Sequence, residues 1–173
     1  KSEDGTLLKT EKSEKENNKR EEANLKIDSE KNWITNLKQN NMITNQRLKI
    51  EKQALDFGFP SRYVFHNLGS SSEWLEVGLK TNAGSTYRLK IVLNDFPNSV
   101  PDVYVFYPPH LEDFNDKLLS DYGASVEMHL LSPDSSGNIR LCHYSPLNWH
   151  PNVTLYKVVL KCLIWLNCYD GHL

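Results

Sequence analysis

The stretch EWLEVGLKTNAGSTYRLKIVL, residues 73–93, decides how the chain folds. Trp74, Glu76 and Gly78 alternate with Leu75, Val77 and Leu79, the two-residue period of a strand with one buried face. Residues 81–85 (TNAGS) are turn formers, and residues 87–93 (YRLKIVL) return to β-branched and apolar character. A hairpin is predicted. Working outward, RYVFHN (62–67) and VYVFY (103–107) supply two more strands. The second of these is set off by NDFPNSVPD, whose prolines cannot sit in a central ladder. Four consecutive strands with tight links predict an antiparallel meander.

Helical patterns flank the meander. Trp33, Ile34, Leu37, Met42, Ile43, Leu48, Ile50, Leu55 and Phe57 recur at mostly helical separations, which predicts a helix over 43–55 ended by Gly58 and Pro60. In VTLYKVVLKCLIWLNC (153–168), Leu155, Val158, Val159, Cys162, Leu163 and Leu166 form a broad apolar stripe, with Asn152 or Thr154 as its cap. Between meander and last helix lies a long irregular region, 110–138, of the kind that carries function. The fold class is therefore α+β: N-terminal helix, four-stranded meander, a loop bearing a cysteine, C-terminal helix. Residues 1–32, rich in Lys, Glu, Asn and Ser, read as a disordered or solvated helical extension to a domain at 33–173.

Composition narrows the function. With 20 Lys+Arg against 22 Asp+Glu the net charge is −2, so no basic field draws the chain to nucleic acid. The sequence holds no apolar run of membrane-spanning length and no signal peptide, and a soluble cytoplasmic protein is expected. Cys142, Cys162 and Cys168 show no CxxC spacing, which speaks against a disulfide framework or a zinc knuckle, and no metal is expected.

The segment GNIRLCHYSPLNWHP, residues 137–151, concentrates the chemistry. By residue type alone, Cys142 is either a nucleophile flanked by Arg140 and His143 or a small apolar residue ending a strand. Cys162 and Cys168 fall on the terminal helix, where cysteine behaves as a small hydrophobe. A papain-like Cys–His hydrolase is disfavoured by the position of the thiol after a sheet. Adjacent Cys142 and His143 converge poorly on one zinc ion.

YRLKIVLNDFPNSVPDVYVFYPP resembles the sheet-plus-proline segment of the ubiquitin-conjugating (UBC-fold) family. SSGNIRLC is similar to the family's run into its catalytic cysteine. WHPNVTLYKVVLKCLIWL is similar to the Trp-x-Pro helix passage, with Trp149, Pro151, Thr154 and Lys157 at matching separations. The likeness spans residues 46–169. Three departures stand out: Arg140 and Leu141 place Cys142 two positions late, Met128-His129-Leu130-Leu131 replaces the family's HPN motif, and the sequence stops after the helix that follows the cysteine. In this it looks more like divergent bacterial members found with antiphage cyclic-oligonucleotide signalling or bacterial ubiquitin-like operons, without the last two helices of most eukaryotic members.

The resemblance implies a conjugating enzyme that carries a modifier, or the C-terminus of a nucleotidyltransferase, as a thioester on Cys142 and passes it to a target nucleophile. Its partners would be an adenylating activating enzyme, the modifier and a protein target, with no cofactor of its own. His129, His143 or backbone amides around Cys142 would replace the missing asparagine as oxyanion donors. Tyr144, Asn148 and Trp149 would shape the groove for the incoming tail, with Trp149 and Pro151 also bracing the loop and the helix start. His110 and Asp113 begin the long loop, where an acid near the incoming lysine would help deprotonate it, with a solvated loop position as the default reading of Asp113. The alternative is a catalytically inactive UBC-like binding or scaffold module.

Overall fold

The computed structural model describes Lys26 and residues 43–171. The expected extension at 1–32 and the first turns of the expected domain at 33–42 lie outside the described residues, apart from Lys26.

The predicted first helix is α1, Asn45–Gly58, opened by Thr44, whose side chain accepts the Arg47 N–H at 3.2 Å. Its N-terminal boundary shifts to that cap and its end runs on to Gly58. A glycine is required there, because a Cβ would overlap the Tyr156 ring of the last helix. The meander follows as β1 (Tyr63–His66), β2 (Trp74–Lys80), β3 (Thr86–Val92) and β4 (Val103–Tyr107), each antiparallel to the one before. The alternation in 73–93 is realised as read: Leu75, Val77 and Leu79 are buried beside Tyr87, Leu89 and Ile91 of the paired strand. Trp74 and Glu76 occupy the other face, where the His66 ring stacks on Trp74 at 4.0 Å.

The expectation of four strands needs correction. The long region after β4 is not irregular throughout: it contributes β5 (Leu130–Leu131) and β6 (Ile139–Leu141), giving a six-stranded sheet in the order β1-β2-β3-β4-β6-β5. The chain leaves β4, reaches the far edge as β5, then turns back so that β6 slots against β4. Asp134 makes that turn, its carboxylate accepting the Ser136 and Asn138 N–H groups while Gly137 takes a φ of 80°. Cys142 therefore leaves a strand held on both sides.

The predicted last helix is α2, Leu155–Asp170. Its buried stripe, Leu155, Val158, Val159, Cys162 and Leu166, joins the core formed by β2, β3, β4 and β6. Thr154 is its N-cap but makes no side-chain cap bond. That duty passes to α1, where the buried Glu51 carboxylate accepts the Leu155 N–H at 2.6 Å and pairs with Arg47 at 2.6 Å. Arg47 in turn donates to the carbonyls of Pro151 and Val153. No helix among the described residues is long and apolar enough to cross a membrane.

Candidate functional site

Cys142 follows β6 directly, and its N–H continues the ladder by donating to the His129 carbonyl at 2.8 Å. His129 precedes β5 with a left-handed φ of 54°, a conformation unusual for a residue with a Cβ, and its own N–H donates to Val126. The backbone around the thiol is thus fixed from strand to strand. That engagement also removes the Cys142 amide from the expected set of oxyanion donors.

Helix α2 fixes the same region from above. Lys161 and Trp165 stand one turn apart, the i, i+4 spacing that puts two side chains on one face. Trp165 Nε1 donates to the Met128 carbonyl at 2.8 Å, and Lys161 Nζ donates to the His143 carbonyl at 3.1 Å. One helix face therefore grips both backbone segments that border Cys142. Trp165 is braced in turn by a parallel stack on Tyr169 at 5.6 Å.

Between these elements lies an open groove of about 730 Å³. Cys142, His129 and His143 line it together, as do Lys161, Trp165 and Cys168. Its walls are otherwise largely apolar, and Phe114 and Ile164 stand 78% and 56% exposed at its margin. Exposed apolar side chains beside a half-buried thiol suit a site that takes up a ligand.

His143 plays a different part from the donor expected. Its Nε2 lies 2.9 Å from the Pro101 carbonyl, an atom that only accepts, so Nε2 carries the proton. Burial, with the Lys161 charge, lowers the imidazole pKa from its ordinary 6.5 against the opposing pull of Pro101 and Asp102. The neutral ring leaves Nδ1 as a buried lone pair without a hydrogen-bond partner among the described residues. The Nε2–H that the expected oxyanion donor would need is thus already engaged by Pro101.

Tyr144, Asn148 and Trp149 do not line the groove. Trp149 donates from Nε1 to the Pro97 carbonyl at 2.8 Å and packs edge-on against Phe96 and Tyr144. Trp149 thus braces the loop at Pro97, and none of the three residues is in the wall of this groove. Asn148 is exposed in a short turn over Pro146–Asn148, and the Tyr144 ring lies beneath the Lys161 ammonium, 3.5 Å from ring centre.

Asp113 does reach the groove, but its carboxylate accepts the Tyr122 hydroxyl at 2.6 Å and the Asn115 and Lys117 N–H groups. The Tyr122 hydrogen bond leads in lowering its pKa, which makes it a poor base for a lysine. Arg140, where the resembled family has its cysteine, instead pairs with Asp102 at 3.3 Å.

The cysteines also require a correction. Cys162 is buried in the core, and desolvation pushes its thiol far up, as its helical position implied. Cys168 is exposed and shares the groove with Cys142, so Cys142 is not alone there. Sequence reading missed Lys161, Trp165 and Cys168 as site residues. The i, i+4, i+7 spacing of 161, 165 and 168 was the available signal.

No family model, curated protein or solved structure matches the chain. The likeness to a known family rests on the motifs in the sequence alone.

Proposed function

We propose that the protein is a UBC-like acyl carrier that holds a ubiquitin-like modifier, or a nucleotidyltransferase C-terminus, as a thioester on Cys142 and delivers it to a target amine. The observation that carries this reading is the placement of a half-buried, free Cys142 in the wall of an apolar groove, on a backbone fixed by β5 and α2. A thioester carrier needs a thiol that is reachable by a protein tail yet held in one position. Both conditions have support here.

Two steps make the chemistry. In charging, the Cys142 thiolate adds to the carbonyl carbon of the thioester on an activating enzyme, and that enzyme's thiolate leaves. In discharge, a target amine adds to the Cys142 thioester, loses a proton and expels the Cys142 thiolate. With the His143 Nε2–H tied to Pro101 and its Nδ1 buried, that proton leaves to water at the open groove. The adenylating enzyme, the modifier and a protein target are the implied partners. Three free thiols suit a reducing compartment such as the cytoplasm.

The test is incubation with an adenylating activating enzyme, its ubiquitin-like modifier and ATP, followed by a non-reducing gel. A thiol-sensitive adduct absent from Cys142→Ala supports the carrier. Absence of any adduct, with the activating enzyme itself charged, would support an inactive scaffold module instead.

A further inference from the structure

Acyl transfer at Cys142 passes through a tetrahedral intermediate whose carbonyl electron pair has moved onto oxygen. An oxyanion in a groove needs a hydrogen-bond donor aimed at it before the reaction begins. The groove offers fewer such donors than its polar residues suggest. The Cys142 N–H is engaged by the His129 carbonyl, and the His143 Nε2–H by Pro101. Two side-chain donors remain, His129 and Lys161.

The two differ in how they are held. No hydrogen bond fixes the exposed His129 ring among the described residues. Lys161 is anchored twice, with Nζ 3.1 Å from the His143 carbonyl and 3.5 Å from the Tyr144 ring centre. Both anchors belong to the two residues directly after Cys142. An ammonium has three N–H donors, so a bond to the carbonyl and a contact with the ring leave donor capacity for a ligand in the groove that Lys161 lines. Its full charge also strengthens a hydrogen bond to a negative oxygen.

Resting on the thioester reading above, we infer that Lys161 is the oxyanion donor of acyl transfer at Cys142, doing from helix α2 what an asparagine before the cysteine does in the family resembled. As the Cys142 thiolate adds to the acyl carbon, the Lys161 N–H takes the oxygen's developing charge. As the intermediate collapses, the C=O re-forms, the leaving thiolate departs and the Lys161 proton stays on nitrogen. Lys161 is then an electrostatic participant and not an acceptor of the acyl group.

The probe is a short synthetic peptide whose C-terminal glycine is a mercaptoethanesulfonate thioester, an unhindered donor that needs no activating enzyme. Acyl transfer to the full chain is followed by intact mass spectrometry. Iodoacetamide alkylation of Cys142, followed by peptide mapping, runs beside it, because displacement at carbon of iodoacetamide forms no oxyanion.

The expected result is that Lys161→Met slows acyl transfer at saturating probe by about 10- to 100-fold. Half-saturation and the alkylation rate stay nearly unchanged, and Lys161→Arg recovers much of the loss. Equal losses in both reactions would assign Lys161 a positional role and overturn the inference. So would an unchanged acyl-transfer rate, or a thiol-resistant acyl group mapped to Lys161. A wild-type chain that alkylates at Cys142 but never takes the acyl group would overturn the carrier reading itself, and the Lys161 role with it.

Discussion

Glu51 in α1 and Leu155 at the start of α2 are joined by a 2.6 Å hydrogen bond across 104 residues of chain. This bond fixes where α2 begins, and α2 carries Lys161 and Trp165 to the two borders of Cys142. Burial raises the Glu51 pKa, while the Leu155 N–H and Arg47 draw it back down. Removing the carboxylate leaves the half-buried Arg47 guanidinium without its counter-charge and the Leu155 N–H without its acceptor. Glu51→Ala and Arg47→Met are each expected to cost about 3–5 kcal/mol in denaturant unfolding, since each leaves the partner's charge unpaired in a buried or half-buried site. Equal losses below about 1 kcal/mol in both variants would show that the pair does not hold the helix.

His143 makes stability depend on pH. Its folded pKa lies below 6.5, so between 6.5 and that lower value the unfolded chain binds a proton that the folded chain does not. The contribution is complete above about pH 6.5 and is lost as pH falls through the folded pKa. The His143→Gln variant is expected to flatten this part of the curve, checked by urea midpoints at pH 8.0, 6.5 and 5.0. An unchanged slope would mean that other groups carry it.

Trp149 separates bracing from binding. The Trp149→Phe variant keeps a ring against Phe96 and Tyr144 but loses the Nε1–H bond to Pro97. A loss of about 1 kcal/mol is expected, with the rate of acyl transfer to Cys142 retained. A rate loss at unchanged stability would place Trp149 in the tail-binding path after all.

The three thiols should differ in reactivity. Cys142 and Cys168 are expected to alkylate in the folded chain, while Cys162 stays protected until unfolding, because it is buried and its thiol is pushed up. Peptide mapping after iodoacetamide in buffer and in urea gives the order. Early labelling of Cys162 would contradict the core packing of α2.

Much of the fold was legible in 73–93 and 153–168, because burial on one face of a strand or helix writes its period into the sequence. β2, β3, β4 and α2 were read within two residues. β5 and β6 were not, since strands of two and three residues are too short to show alternation. Their pairing depends on β4, which lies more than 20 residues earlier in the chain, and on the Asp134 turn. For the site, motif spacing brought Cys142, His129 and His143 together. It could not place Lys161, which lies near Cys142 only because Glu51 and Trp165 fix the helix. Nor did sequence reveal that Pro101 engages His143, a contact set by the loop before β4.

The most direct test of the carrier is to find which thiol in the groove holds the acyl group. Cys142→Ala and Cys168→Ser chains are each incubated with a glycine thioester peptide, and intact mass is recorded before and after hydroxylamine. A hydroxylamine-labile adduct on Cys168→Ser that is absent from Cys142→Ala is predicted. An adduct that persists in Cys142→Ala and disappears in Cys168→Ser would contradict the assignment.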